Sequence, residues 1–197
     1  MAHKINGVIP AGEITNQDKP RRTRLFRRFA KNTKGATAIE FAILAFPFCL
    51  LVFAILESTI SFATQQVMAN AGDSIARELR TGQLRAGDVN EAKLKDLVCG
   101  KLEVIVADGC PGLEVDLREF PTFDAAAKVR VKLTSDKDID TSDFAVTPGD
   151  ALSINMLRVF YRWPVMTDLM RSSMSNLKDG KTLLFSTITW RNEPFDD

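Results

Sequence analysis

Histidine is almost missing from this chain: among 197 residues only His3 carries an imidazole. The body of the sequence therefore lacks the base of a Ser-His-Asp triad or a Cys-His dyad, and any histidine metal ligand. Cysteine is scarce as well. There are three, and Cys49 lies in an apolar stretch, which leaves a poor set of ligands for zinc. No glycine-rich phosphate loop or dinucleotide fingerprint occurs. Carboxylates are plentiful, but the missing inventory argues against an enzyme and calls for no cofactor. The formal net charge of +1 gives no globally basic surface for nucleic acid.

Charge of one sign is absent from long parts of the chain. Residues 1–35 hold nine Lys/Arg and two Asp/Glu, a net of +7. Residues 36–197 hold seventeen Lys/Arg and twenty-three Asp/Glu, a net of −6. Between the basic leader and the acidic remainder, Ala36–Leu56 contains one charge, Glu40, and Phe41–Leu56 contains none. As a helix those twenty-one residues rise about 31 Å, against a hydrocarbon core of about 30 Å. Arg21, Arg22, Arg24, Arg27, Arg28, Lys31 and Lys34 precede the stretch, and the first basic residue after it is Arg77. That asymmetry predicts a membrane-spanning helix with a cytoplasmic N-terminus. A buried helix of a soluble protein would not explain cations on one flank only. A cleaved secretory signal ending near Ser61-Phe62-Ala63 would have a shorter apolar core.

The helical pattern continues beyond the stretch. No proline occurs between Pro47 and Pro111. Ile60, Ala63, Val67, Ala71, Ile75 and Leu79 recur at three- or four-residue steps and predict one apolar face. Gln65, Gln66, Asn70, Asp73, Arg77 and Arg80 fall opposite. Gly82 follows as a stop signal, so the sequence predicts one helix over Ala36–Thr81. Pro47 removes one backbone donor and is expected to kink it. Gly72 is a weaker interruption.

The residues at the start of this helix are Lys34-Gly35-Ala36-Thr37-Ala38-Ile39-Glu40-Phe41. They resemble the type IV pilin-like proteins. Within that class, GATAIEFAILAFPF looks like the TadE-like pseudopilins of the tight-adherence (Tad) pilus. The resemblance implies cleavage by a prepilin peptidase between Gly35 and Ala36, with Glu40 fifth in the mature chain. It implies a structural subunit acting in pilus assembly, priming or tip formation, and hence in adherence. Partners would be the peptidase, other pilins and pseudopilins, the inner-membrane assembly platform and the lipid bilayer. The ending Arg191-Asn192-Glu193-Pro194 also resembles the family's terminus. Cys99 and Cys110 match the paired cysteines of the family's outer domain. On the outer side a bond is the expected state, closing a twelve-residue loop worth about 3 kcal/mol; two free thiols are the alternative.

Physical chemistry supports these assignments. Glycine before the cut lets an extended backbone enter a protease cleft. A carboxylate at the bilayer centre costs about 2.5–3.5 kcal/mol. Glu40 is therefore expected either to sit idle near the interface or to pair with a cation. The α-amino group of Ala36 in a neighbouring subunit is the candidate cation.

The expected organisation is a cleaved cytoplasmic leader (1–35), a transmembrane helix (36–56), a periplasmic helical continuation (57–81) and a periplasmic domain (82–197). The fold class is α+β and pilin-like, an antiparallel sheet packed on the long helix. Strands are predicted at Leu113–Leu117, Val129–Leu133, Leu157–Trp163 and Leu183–Trp190. Asp136–Gly149 reads as an exposed acidic loop. Its Asp136, Asp138, Asp140 and Asp143 lack the central glycine and final glutamate of an EF-hand. Trp163, Trp190 and Tyr161 fall in strand-like runs and read as sheet packing. An uncleaved, signal-anchored periplasmic binding or sensor protein is the alternative to a pilus subunit.

Overall fold

A computed structural model gives the structure of residues 35–195; the basic leader lies outside the described residues. Helix α1 spans Ala36–Arg80. A 3-10 turn at Ala86–Asp88 leads to α2, Glu91–Leu102, which starts where the Asn90 side chain accepts the Lys93 N–H at 2.9 Å. Then come β1 (Leu113–Phe120), α3 (Phe123–Ala127), β2 (Val146–Thr147), β3 (Ile154–Pro164), α4 (Asp168–Met174) and β4 (Lys181–Arg191). By its contacts the chain divides into two units, Met1–Phe48 and Cys49–Asp197.

In the first unit the described residues are Gly35 and the opening turns of α1, with Pro47 inside the helix. Ile39, Phe41, Ile43, Leu44, Phe46 and Phe48 are all exposed.

The second unit contains the sheet, in the order β2-β1-β3-β4. β3 pairs antiparallel with both β1 (Val115 opposite Val159) and β4 (Val159 opposite Ser186). The expected antiparallel sheet is thus formed by the three long strands. β2 makes it mixed, pairing parallel with β1 through Leu117 opposite Val146. The core lies between one sheet face and the helices. Leu113, Val115 and Leu117 of β1 and Leu157, Val159, Tyr161 and Trp163 of β3 meet Met68, Ile75 and Leu79 of α1 and Leu94, Val98 and Leu102 of α2. Alternation in β1 and β3 produces this face, and it places Tyr161 and Trp163 in packing as expected.

α1 ends at Arg80, one residue before the predicted boundary. Gly82 adopts a φ of +71°, and the Leu84 N–H reaches back to the Glu78 carbonyl at 3.0 Å. Gly72 is a site of close approach. A Cβ there would lie 2.5 Å from the Ile188 side chain of β4.

The buried stripe of α1 is Glu57, Ser61, Thr64, Met68, Ala71, Gly72, Ile75, Ala76 and Leu79. From Ala71 onward it contains the predicted face. Below that point the expected Ile60, Ala63 and Val67 give way to their neighbours, and Ile60 is exposed. Steps of three and four residues allow two adjacent stripes here. The buried polar members of the observed stripe include Thr64, whose Oγ1 donates to the Ile60 carbonyl at 2.9 Å, and Glu57.

The predicted strand at Val129–Leu133 does not form. Leu133 makes one isolated bridge to Ile139. The place beside β1 is taken by Val146–Thr147, so Val131 and Leu133 have no sheet face to cover and stay exposed. The acidic loop also differs from expectation, because part of it folds over the second face of the sheet. Ile139 is buried, Phe144 stacks on Phe160 with centroids 5.1 Å apart, and Asp138 bonds Arg162 at 3.0 Å. Burial pushes the Asp138 carboxyl upward. Arg162, the Ile139 N–H and Lys178 outweigh it and hold the group below its ordinary value. Beneath the loop, buried Asp116 bonds Arg158 across the β1–β3 pair at 2.7 Å and accepts the Ala145 N–H at 3.0 Å.

The end of β4 is tied to the end of α1. The Trp190 indole N–H donates to Asn192 Oδ1 at 2.7 Å. Asn192 Nδ2 donates to the carbonyls of Gly149 and Asp150, each at 2.9 Å. The Glu193 N–H reaches the Arg80 carbonyl at 2.9 Å, and its carboxylate meets the Arg80 guanidinium at 3.0 Å. Phe195 closes on Gly82, with the Arg85 guanidinium 4.6 Å from its ring centroid.

Cys99 of α2 and Cys110 ahead of β1 are disulfide-bonded, with Cα atoms 5.7 Å apart. Replacing both by serine should lower stability by about 3 kcal/mol, read from the urea midpoint; an unchanged midpoint would show that the bridge is dispensable. Asn192→Ala strands the buried Trp190 N–H and two carbonyls. It should cost about 1–3 kcal/mol in the same measurement, and a neutral result would rule out the clamp as a stabilising contact.

Candidate assembly interface

Gly35 stands immediately before α1, and among the described residues a Cβ built on it would meet nothing within 4 Å. Ala36 is the first helical residue, and Glu40 follows four residues on, exposed, in a helix with no acid in its first turn. Sequence proximity alone brings Gly35, Ala36 and Glu40 together. Pro47 lies within the helix and removes one main-chain donor there. Cys49 is exposed and unbonded, as befits its place in the apolar run.

The apolar surface is continuous around this part of α1. Leu51, Phe53, Ile55 and Leu56 are more than half exposed, and Phe62 is 70% exposed. By length and composition α1 is able to cross a membrane. A helix satisfies its own main-chain hydrogen bonds, so it needs only an apolar environment around its side chains.

Glu57 closes the apolar run, and it is buried. Its carboxylate accepts the Met166 N–H at 2.5 Å and the Thr167 N–H at 3.3 Å, and it also bonds the Thr167 hydroxyl. One residue further along α1, Ser58 Oγ lies 3.9 Å from the Met174 sulfur. The first charge beyond the apolar stretch is thereby matched by main-chain donors at the start of α4. Those donors have no partner inside a helix. Sequence reasoning passed over this residue. The available signal was an acid at the end of an apolar run with no cation before Arg77.

Cys99, Glu103 and Cys110 lie within 4.8 Å of one another, the spacing of a metal site. Both sulfurs are consumed in the disulfide, and Glu103 Oε1 accepts the Gly109 N–H at 3.3 Å. The cluster is a covalent staple between α2 and β1.

A family model described as TadE-like protein matches residues 35–77. No curated protein and no solved structure matches the chain. The matched segment starts at the glycine junction, includes Glu40 and Glu57, and stops three residues before the end of α1, so the sheet lies outside it. Over that segment the chain is similar to the TadE-like proteins, in agreement with the resemblance carried by Gly35–Phe48.

Proposed function

We infer that this chain is a pilin-like minor subunit of a bacterial Tad-type pilus. It is made as an inner-membrane precursor and processed by a prepilin peptidase after Gly35. The observation that carries the reading is the helix that begins at the glycine junction. It is bare and apolar all round for its first half, has one acid at its fifth position, and carries the TadE-like match over residues 35–77. A surface of that kind requires lipid or other apolar helices around it, and a pilus subunit uses both in turn.

In this reading residues 1–35 are a cytoplasmic leader whose cations set the topology. Residues 36–56 cross the membrane, residues 57–81 continue the helix into the periplasm, and residues 82–197 form the periplasmic domain. Cleavage creates an α-amino group on Ala36. Paired with Glu40 of a neighbouring subunit, that cation offsets the cost of a carboxylate among apolar side chains and fixes the stagger between the two helices. Pro47, lacking its N–H, gives the helix a place to bend as it moves from lipid into a bundle. The chain's length, against the much smaller major subunits of such systems, favours a minor component. Its partners are the peptidase, the other pilins and pseudopilins, and the assembly platform. Its role is structural.

Mass spectrometry of the membrane-extracted protein should give Ala36 as the mature N-terminus when the peptidase is active, and an intact leader when it is absent. An intact leader in both would point instead to an uncleaved, signal-anchored periplasmic protein. Glu40→Ala should be cleaved normally but fail to enter the pilus complex, as read by co-purification with its partner pilins. Normal assembly of that variant would remove the pairing mechanism.

A further inference from the structure

We propose that α4 and the residue leading into it, Met166, seat the outer domain on the lipid headgroup layer. The inference rests on the reading of Ala36–Leu56 as the membrane span. It adds a second membrane contact made by a part of the chain more than a hundred residues away in sequence.

Two contacts tie α4 to α1, beside its bond from Thr182 Oγ1 of β4 to the Met174 carbonyl at 2.6 Å. At its start, Glu57 accepts the main-chain N–H groups of Met166 and Thr167. At its end, Met174 lies against Ser58. Glu57 and Ser58 are consecutive, so along the α1 axis the two anchor points differ by about 1.5 Å. A seven-residue helix is about 10 Å long. With both ends tied to adjacent residues of α1, α4 stays at the level of Glu57 and Ser58. An α1 that stands across a bilayer therefore holds α4 where the apolar run ends.

The level it occupies is the boundary itself. Glu57 is the first residue after the uncharged run, and the headgroup region extends about 5–7 Å beyond the hydrocarbon core. The surface at this level is suited to that region. The Met166 side chain is 69% exposed although its main chain is tied to Glu57. Phe62, about 7 Å further along α1, is 70% exposed. Arg171 of α4 is half exposed and pairs with exposed Asp168 at 2.8 Å. Apolar and aromatic side chains beside a cation are the composition of an interfacial belt. The arrangement also accounts for Glu57. A carboxylate at the exit of a membrane helix is kept from lipid by the main chain of the segment that it positions.

The full chain in phosphatidylcholine–phosphatidylglycerol vesicles provides the test, with tryptophan placed by substitution and lipids brominated near the headgroup as quencher. Trp163 and Trp190 are buried and give a subtractable background. Met166→Trp, at an exposed position, should lose about half or more of its added emission in brominated vesicles, as an interfacial indole would. Val104→Trp should lose none. Val104 is exposed and lies near Lys101, which bonds Ser74, about 25 Å along α1 from Glu57. Phe53→Trp reports on the span. If Phe53→Trp is quenched and Met166→Trp is not, the seating is wrong while the span stands. If neither is quenched, the span reading fails and the seating fails with it. Quenching of Val104→Trp as strong as that of Met166→Trp would also overturn the proposal, since it would signal non-specific adsorption of the domain.

Discussion

The burial demand along α1, whose backbone is continuous while its burial changes, organises most of the described fold. Before Glu57 the helix is apolar except for Glu40, and none of its residues is buried. After Glu57 it carries one buried stripe, and a sheet exists to cover it. A backbone inside lipid must satisfy its own hydrogen bonds, which a helix does. The same backbone outside lipid is marginal without packing. The domain supplies that packing through β1, β3 and β4. Gly72 marks where the fit is closest, since helix and strand meet there with no room for a Cβ.

The sheet has two faces, and they are closed by different chemistry. The helix side is apolar. The opposite side holds Asp116, Arg158, Arg162 and Glu114, roofed by the loop that carries Asp138, Ile139 and Phe144. Buried charges of this kind add little net stability after desolvation but are costly to leave unpaired. Their effect is to select a single position for the loop. Asp116 shows this directly, because it accepts an N–H from the loop while bonding Arg158.

The helical part of the fold was largely legible in the sequence, for a physical reason. Uncharged length, flanking cations and a terminal glycine act locally, so the ends of α1 and the place of Gly35 and Glu40 could be read within a residue. The strands at 113–117, 157–163 and 183–190 were legible, each inside a longer observed strand, because alternation there coincides with burial. Val129–Leu133 alternates equally well and forms no strand, since pairing depends on whether a sheet edge is open, and Val146–Thr147 occupies it. The role of Glu57 was not legible. Its position at the end of the apolar run marked it, but its partners, the main-chain N–H groups of Met166 and Thr167 and the Thr167 hydroxyl, lie more than a hundred residues on and no local pattern joins them to it. The motif Arg191-Asn192-Glu193-Pro194 was visible as a resemblance, yet its purpose becomes clear only when Asn192 and Glu193 are seen to bind the 149–150 turn and Arg80.

The contact between Arg80 and Glu193 spans 113 positions of the chain. Synthesis runs from the N-terminus at about 5–20 residues per second, so the end of α1 is made about 6–23 s before the residue that fastens it. During that interval Met68, Ile75 and Leu79 have no sheet to cover them. An apolar stripe on α1 is thus complete long before the strands that cover it, and the domain closes only when its last strand, β4, has been made.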